Sequence, residues 1–532
     1  MPPSPMSPPT NSYEKMPGES RPLQATHIDV LAVTAALAGL TPVAIKACRV
    51  LEIGCAVGGN LLPMAQALPE STFVGIDLSP RQIALAQKTA TGAGLKNIRF
   101  EVRDFTALPE DFGHFDYIIA HGIYHWVNPA AREQLLGTIK RLLSPQGVAY
   151  VNYHVYPGWR AREMFRDILV AKTAGQTDPR ARVAEARQFI AFLSVQGQAS
   201  GEGVYANQLR QEASFLSTVP DEYFLHEYLE ADPNALYFQQ FVDQLTLNEL
   251  TYVGEIKPGP SRLKLAEALK NEQPDLVHDW TRLEQYVDHI QGGFIRRSLI
   301  CHAEQVVSRE PRIEAIESFS ISCRVVPTVG QGNVRSNDPI PFRFPDGMTV
   351  NITEPHVKTI LVALAQVWPL TVSFEEMLEV IRVDLKFGES FAVAGSPERV
   401  LVLQTLAVCH AMTLVDLHAA PLGYALQSGE KPLASPLARF QAREGKSVTN
   451  VLHALVVSLS KVDRLILAHL NGNRDRAALV GVIKAAIAKG ILPDPTKDSQ
   501  AATEAGLTEN IEQVLEQSLA RLAADAFLSA SA

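Results

Sequence analysis

The stretch best equipped for chemistry runs Arg49-Val50-Leu51-Glu52-Ile53-Gly54-Cys55-Ala56-Val57-Gly58-Gly59-Asn60. An apolar run enters a glycine-rich turn, and a helix opens at once. Glycine lets a backbone approach a ligand with no Cβ in the way, and the opening helix directs unpaired N–H groups at the same place. A second apolar run ends in Asp77, where a carboxylate can accept both hydroxyls of a ribose. A nucleoside ligand is the implied chemistry.

Three such ligands compete. A P-loop needs Gly-Lys-Ser/Thr after its glycines, and the chain has Gly58-Gly59-Asn60. A dinucleotide site needs G-x-G-x-x-G, and the spacing here is G-x-x-x-G-G. S-adenosylmethionine carries no phosphate and needs no phosphate cradle. Its amino-acid tail and sulfonium suit an acid near the loop, and Glu52 stands two residues before Gly54. A purely structural turn between strand and helix is the alternative for the glycines alone.

Further candidates follow along the chain. Asp104, after a third apolar run, can bond an adenine amino group while Phe105 covers the ring; a helix N-cap is the alternative. A fourth run ends in Ala120-His121-Gly122-Ile123-Tyr124-His125-Trp126. Ligands of open α/β sheets bind outside the carboxyl ends of strands, so this aromatic cluster stands where a transferred methyl would be. Packing of Tyr124 and Trp126 on the next helix is the alternative. With Tyr153 and Tyr156 these side chains can hold a cationic sulfonium or ammonium at ~0.5–2 kcal/mol each. His121 can position an acceptor or act as a base, or simply be satisfied by neighbouring backbone. No catalytic Cys, Ser-His-Asp or metal-ligand arrangement is evident in the sequence.

The elements that must position these residues alternate. Strands are expected at Arg49–Gly54, Thr72–Asp77, Asn97–Arg103, Asp116–Ala120 and Val148–Tyr153, with helices at Asn60–Leu68, Pro80–Ala90 and Ala130–Leu143 between them, the last stopped near Ser144-Pro145-Gln146-Gly147. That rhythm predicts an α/β fold, a Rossmann-like doubly wound sheet over residues 25–160. A disordered leader or lid is expected over 1–24 and mainly helical middle and C-terminal domains beyond 160. The divisions expected are a helical domain over 161–325, an α+β or winged-helix-like domain over 326–420, and a helical domain over 421–532.

Composition narrows the class. The 532 residues carry 48 Lys+Arg against 57 Asp+Glu, a formal charge of −9, with 46% apolar and 20% charged residues. That is ordinary for a soluble globular protein, and it argues against a chain held to nucleic acid by phosphate contacts. The 5 cysteines are scattered without a C-x-x-C pair, which fits a reducing, cytoplasmic setting. No apolar run reaches the ~18–20 residues of a membrane span, so no membrane insertion is expected.

Leu51–Ala56, Gly58–Leu61, Phe73–Ser79 and Tyr117–Gly122 resemble class I S-adenosylmethionine-dependent methyltransferases. More narrowly they resemble the bacterial group with a methyltransferase regulatory domain, as do Val151–Trp159, Pro220–Tyr223, Leu225–Glu230, Tyr252–Glu255, Arg296–His302, Val448–Asn450 and Asn471–Arg476. The characterised members are rickettsial protein-lysine methyltransferases of outer-membrane proteins. The resemblance implies S-adenosyl-L-methionine held by Glu52, Gly54, Cys55, Gly58, Gly59, Asn60, Asp77, Leu78, Gln82, Asp104, Phe105, His121 and Gly122. It implies methyl transfer to lysine side chains with His121, Tyr124, His125, Trp126, Tyr153 and Tyr156 around the reacting group, and a homodimer. It makes Tyr13, Thr26 and His27 lid candidates, with capping the alternative for Thr26. Acids and aromatics of Asp221–Glu230 can recognise a basic acceptor or form an exposed helical face. The Asn473–Arg476 stretch reads as anion-binding or as a solvated helix start. A small-molecule methyltransferase and a cofactor-sensing module without activity are the other expected classes.

Overall fold

The computed structural model describes residues 15–529 apart from 17–19, 200, 202, 231–234, 329–333, 369, 386–394, 422, 424, 426, 446, 457 and 494–503. Tyr13 and most of the expected leader lie outside the described residues. Helix α1 (Ile28–Leu37) precedes β1 (Arg49–Ile53), α2 (Leu61–Ala67), β2 (Thr72–Asp77), α3 (Pro80–Gly92), β3 (Ile98–Val102), β4 (Phe115–Ala120), α4 (Pro129–Leu142) and β5 (Leu143–His154). The five strands are parallel and covered on both faces, which is why they read as continuous apolar runs. Val50, Phe73 and Tyr117 pack against Ile28, Leu31 and Leu61 on one face. Leu51, Val74 and Ile118 pack against Leu135 and Ile139 on the other. Local signals start the helices: Ser79 caps α3 ahead of Pro80, and Asn128 caps α4 ahead of Pro129.

Two expectations change. The fifth strand, expected at Val148–Tyr153, begins earlier: Ser144–Gly147 lies within β5, where the pairing with β4 shifts register between Phe115 and Tyr117. The segment after Trp159 is not helical throughout. It runs through α5 (Gly158–Lys172), α6 (Pro179–Ala199), α7 (Val204–Thr218), α8 (Asp221–Phe224) with a π turn at Leu225–Leu229, and α9 (Phe238–Leu247). It then contributes β6 (Leu250–Glu255) and, after α10 (Pro260–Glu272) and α11 (Trp280–Gln291), β7 (Ile295–His302). These complete a seven-stranded sheet of order β3-β2-β1-β4-β5-β7-β6, with β7 antiparallel to β5 from Val148↔Cys301 to His154↔Ile295. Two arginines disguise β7. Arg296, 1% exposed, is buried because Asp288, Glu284 and Glu255 meet its guanidinium at 2.8, 3.0 and 3.4 Å.

Next come two small sheets, one of β8 (Ser320–Ser322), β12 (Val372–Ser373) and β13 (Asp416–His418), the other of β9 (Val326–Pro327), β10 (Ile340–Arg343) and β11 (Thr349–Ile352). They share a core with α12 (Pro355–Val367), α13 (Phe374–Leu385) and α14 (Pro397–Ala411), built on Ile321, Phe342, Leu361, Phe374 and Leu406. The last segment contains α15 (Pro436–Arg443), α16 (Lys461–His469), α17 (Arg476–Ala488) and α18 (Glu504–Ala524), and also an antiparallel pair, β14 (Val448–Thr449) and β15 (Leu455–Val456), that the all-helical expectation lacked. Its α15 lies on the first domain: Leu437 joins the Ile28–Leu61 core, and Glu444 pairs with Lys88 at 2.8 Å. No helix among the described residues is long and apolar enough to cross a membrane.

Candidate functional site

The turn after β1 and the end of β2 are built as one unit. Gly54 and Cys55 both donate to the Ile76 carbonyl, at 2.8 and 3.0 Å. Asp77 accepts from the Ala56 N–H and the Ser79 N–H, both at 2.9 Å. Gly54 and Gly58 adopt φ +75° and +73°, a region that favours glycine. A Cβ on Gly58 would lie 2.5 Å from Phe100 Cζ, so the turn also has no room for a side chain there. Leu78, 59% exposed, stands directly after Asp77. Gln82 lies one turn into α3 with its side-chain oxygen buried and without a hydrogen bond.

Glu52 is buried beneath this turn. One oxygen accepts from the Asn60 amide at 2.8 Å, and the other is buried without a partner. Burial pushes its pKa up to about 8, with Asn60 opposing and Asp77 reinforcing the shift. The N-terminal segment closes over the same place: Ser20 accepts from the Gly59 N–H at 2.8 Å, and Thr26, fully buried, has its hydroxyl 3.1 Å from Asn60 Oδ1. The capping expected as the alternative for Thr26 is not the arrangement seen. His27 caps α1 by accepting from Asp29 at 3.2 Å.

The remaining candidates divide. Asp104 Oδ1 accepts from both the Thr106 N–H and hydroxyl, capping the short turn Phe105–Ala107, while Phe105 packs against the α4 side of the core; the capping alternative is the arrangement seen. Gly122 (φ +70°) donates to the Asn152 side chain at 2.6 Å. His121 lies 3.2 Å from the Tyr150 hydroxyl, and burial holds its pKa down at about 4. Tyr124 and Tyr153 do not face the strand ends. Both are fully buried against Phe241, their hydroxyls meeting Gln244 and Ser298. Tyr153 alternates to the face of β5 that packs on α9, opposite Asn152 and His154, which differs from the expectation for the pair. Tyr156 is half-buried, donates to Glu163 at 2.6 Å, and lies under the Arg160 guanidinium.

His125 lies in company the sequence did not suggest. Its ring centroid is 3.9 Å from that of His154, which stacks on Trp159, and Trp126 stands beside it. His154 Nε2 is 3.3 Å from Glu227, carried by the π turn of the middle segment. The ligating atoms of His125, His154 and Glu227 lie within 4.8 Å of one another. Both ring nitrogens of His125, Nδ1 of His154 and Oε2 of Glu227 are buried without a hydrogen bond. The Asn152 carbonyl is near enough to favour protonation of His125, yet neither ring nitrogen meets hydrogen-bond geometry. Burial holds both histidines down at about 3 and raises Glu227. Two histidines and a carboxylate form a set that binds divalent iron-type ions, contrary to the expectation of no metal arrangement. Against a dication stand Arg162 and Arg166, close enough to depress His154. A neutral amine suits two neutral imidazoles and an acid under two fixed cations better.

Three family profiles match the chain: a methyltransferase domain over 50–147, a predicted methyltransferase regulatory domain over 220–302, and a PKMT C-terminal winged helix domain over 430–527. The last falls on the β14–β15 segment rather than on 326–420. The uncharacterised protein RP789 of Rickettsia prowazekii is 28% identical over 97% of this chain and 94% of its own length. RP028 of the same organism is 33% identical over 44% of this chain and 93% of its own. The structure of PKMT2 from Rickettsia typhi in complex with AdoHcy superposes with TM-score 0.81 at 25% identity, covering 96% of this chain and all of that one.

Proposed function

This chain belongs to the S-adenosylmethionine-dependent methyltransferases that carry a methyltransferase regulatory domain and a PKMT-type winged helix, and on that premise we propose that its acceptor is the side-chain amine of a protein lysine. The residues present fit the cofactor. The unpartnered Glu52 oxygen and the glycine turn without room for side chains support a site that would grip a nucleoside with an amino-acid tail. Gly54, Gly58, Asp77 and Glu52 would hold it, with Leu78 and Gln82 alongside. When bound, it supplies an electrophilic methyl group on a sulfonium.

The rest falls to the chain. A lysine must reach the methyl as a free amine, and from an unperturbed pKa near 10.4 that costs about 4.6 kcal/mol at pH 7. Burial and neighbouring cations both lower an amine pKa, and Arg162 and Arg166 supply the cations. Imidazoles held at about 3 are poor proton acceptors, so His125 and His154 serve to orient the amine by hydrogen bonds. Glu227, raised by burial, is the better matched proton acceptor. Alignment of the nucleophile supplies a large share of the remaining barrier.

The observation that carries this reading is the buried group His125, His154 and Glu227 at the strand ends, in which both ring nitrogens of His125 and Nδ1 of His154 have no hydrogen bond. The test is transfer of radiolabelled methyl from S-adenosylmethionine to a mixed protein fraction and to a metabolite extract, with products identified by mass. Methyl-lysine in protein is expected. Label confined to a small molecule would overturn the lysine assignment while leaving methyl transfer intact.

A further inference from the structure

The C-terminal domain enters the cofactor site. Between β14 and β15 the chain makes a tight turn, closed by the Asn450 N–H on the Ala454 carbonyl and the Ala454 N–H on Asn450 Oδ1, both at 3.0 Å. The turn is held to the end of α18: the Asn450 side chain donates to the Asp525 carbonyl at 2.9 Å, and the Val451 N–H to that of Ala526 at 3.0 Å. At its tip His453 takes φ +54°. A non-glycine residue there costs of order 1–3 kcal/mol and persists where surroundings over-determine it. The surroundings are the methyltransferase domain. His453 is buried, its ring stands edge-on to His27 at 4.8 Å, and its Nε2 is 2.9 Å from Asn60 Oδ1. Gln24 of the N-terminal segment reaches the adjoining Leu452 carbonyl at 3.4 Å.

Asn60 is the hinge of this contact. Its amide nitrogen donates to Glu52 at 2.8 Å, so its oxygen must face the opposite way. That oxygen meets the Leu23 N–H at 3.0 Å, the Thr26 hydroxyl at 3.1 Å and His453. Thr26 also points at the Leu23 carbonyl at 2.9 Å, and one hydroxyl proton cannot serve both. His453 is therefore the second full donor, and it fixes its own tautomer with the proton on Nε2. Its other nitrogen is buried without a hydrogen bond.

We propose that His453 is a positioning residue of the methyl-transfer site: from the winged-helix domain it locks the Asn60 amide, and through it the Glu52 carboxyl, beneath the turn that holds S-adenosylmethionine. The inference rests on the cofactor assignment above and adds that cofactor binding and seating of the C-terminal turn are linked. The test compares His453→Ala with His453→Gln, whose side-chain N–H stands in for Nε2–H, using calorimetric titration with S-adenosylmethionine. His453→Ala is expected to bind about three- to tenfold more weakly, the range of one hydrogen bond, with the loss in KM for the cofactor rather than in the thermal midpoint. His453→Gln should recover most of it. In the unmodified protein, adding the cofactor should slow amide exchange over 448–456. Native affinity in His453→Ala, a Gln variant as weak as the Ala one, or unchanged exchange over 448–456 would each overturn the proposal. A full-length protein that binds no S-adenosylmethionine would instead remove the cofactor assignment, and this inference with it.

Discussion

Asp77 is oriented by two backbone N–H groups, those of Ala56 and Ser79, before any ligand arrives. Asp77→Ala removes the oriented carboxylate and its charge. Calorimetry should show S-adenosylmethionine binding weaker by about 1.5–3 kcal/mol, roughly tenfold or more; native affinity would move the ribose elsewhere. Gly58→Val places a branched side chain on a left-handed φ against Phe100, and the expected result is a lowered thermal midpoint together with lost cofactor binding. Glu227→Gln keeps the shape of the cluster and removes its acid, so kcat should fall with little change in cofactor affinity. If kcat is unaffected, Glu227 is not the proton acceptor. At this scale the local half of the site is legible in the sequence. Glu52, Gly54, Gly58 and Asp77 sit within one strand-turn-helix-strand unit, whose geometry their spacing implies. His154 with Glu227, and Asn60 with His453, are brought together only by the fold, the latter pair 393 positions apart. No periodicity announces such pairs.

Among the elements, the strands easiest to read were the buried parallel ones, and β6 and β7 were among those concealed. An antiparallel strand with Arg296 and Arg297 in it breaks the apolar run, and its burial depends on acids from α11 and β6 that the strand itself does not reveal. Arg296→Ala would leave Asp288, Glu284 and Glu255 with Arg262 as the remaining cation, paired to the first two, and Glu255 without its ion-pair partner. Removing one partner of a buried ion group costs about 3–5 kcal/mol, so the thermal midpoint should drop by several degrees, whereas Arg296→Met, which fills the space, should not recover it while the acids remain. A midpoint equal to that of the native chain would show that the network adds nothing. The same reasoning explains Tyr153: its neighbours on β5 alternate in direction, and only the placement of α9 decides that it meets Phe241.

Across the whole molecule, buried histidines and a buried acid set opposite pH limits. His121, His125 and His154 are held at about 4, 3 and 3, below their ordinary 6.5. Between those values the unfolded chain binds protons the folded one refuses, so stability falls as pH drops from about 6.5. At pH 5 each contributes a loss of up to about 2 kcal/mol. His27 and His453, also lowered by burial, act in the same direction. Glu52, at about 8, keeps its proton when folded and loses it above 4.5 when unfolded, so its effect is declining stability from about pH 4.5 to 8. The histidines outnumber it in acid. The thermal midpoint should therefore climb from pH 5 to about 6.5 and decline gently above. A midpoint that rises on acidification to pH 5 would contradict the burial of these rings.

The seven-stranded sheet has a further consequence. The chain departs from it at His154 and rejoins it at Leu250, so α5 to α9 form an excursion whose two ends are fixed to β5 and β6, the strands on either side of β7. Cutting the polypeptide after β5 would strip that strand of its β7 partner and bare an apolar edge prone to self-association. Exchanging the excursion alone would leave every strand paired. The excursion also carries Glu227 to His154, so replacing it would keep the sheet intact while removing the acid proposed to take the lysine proton.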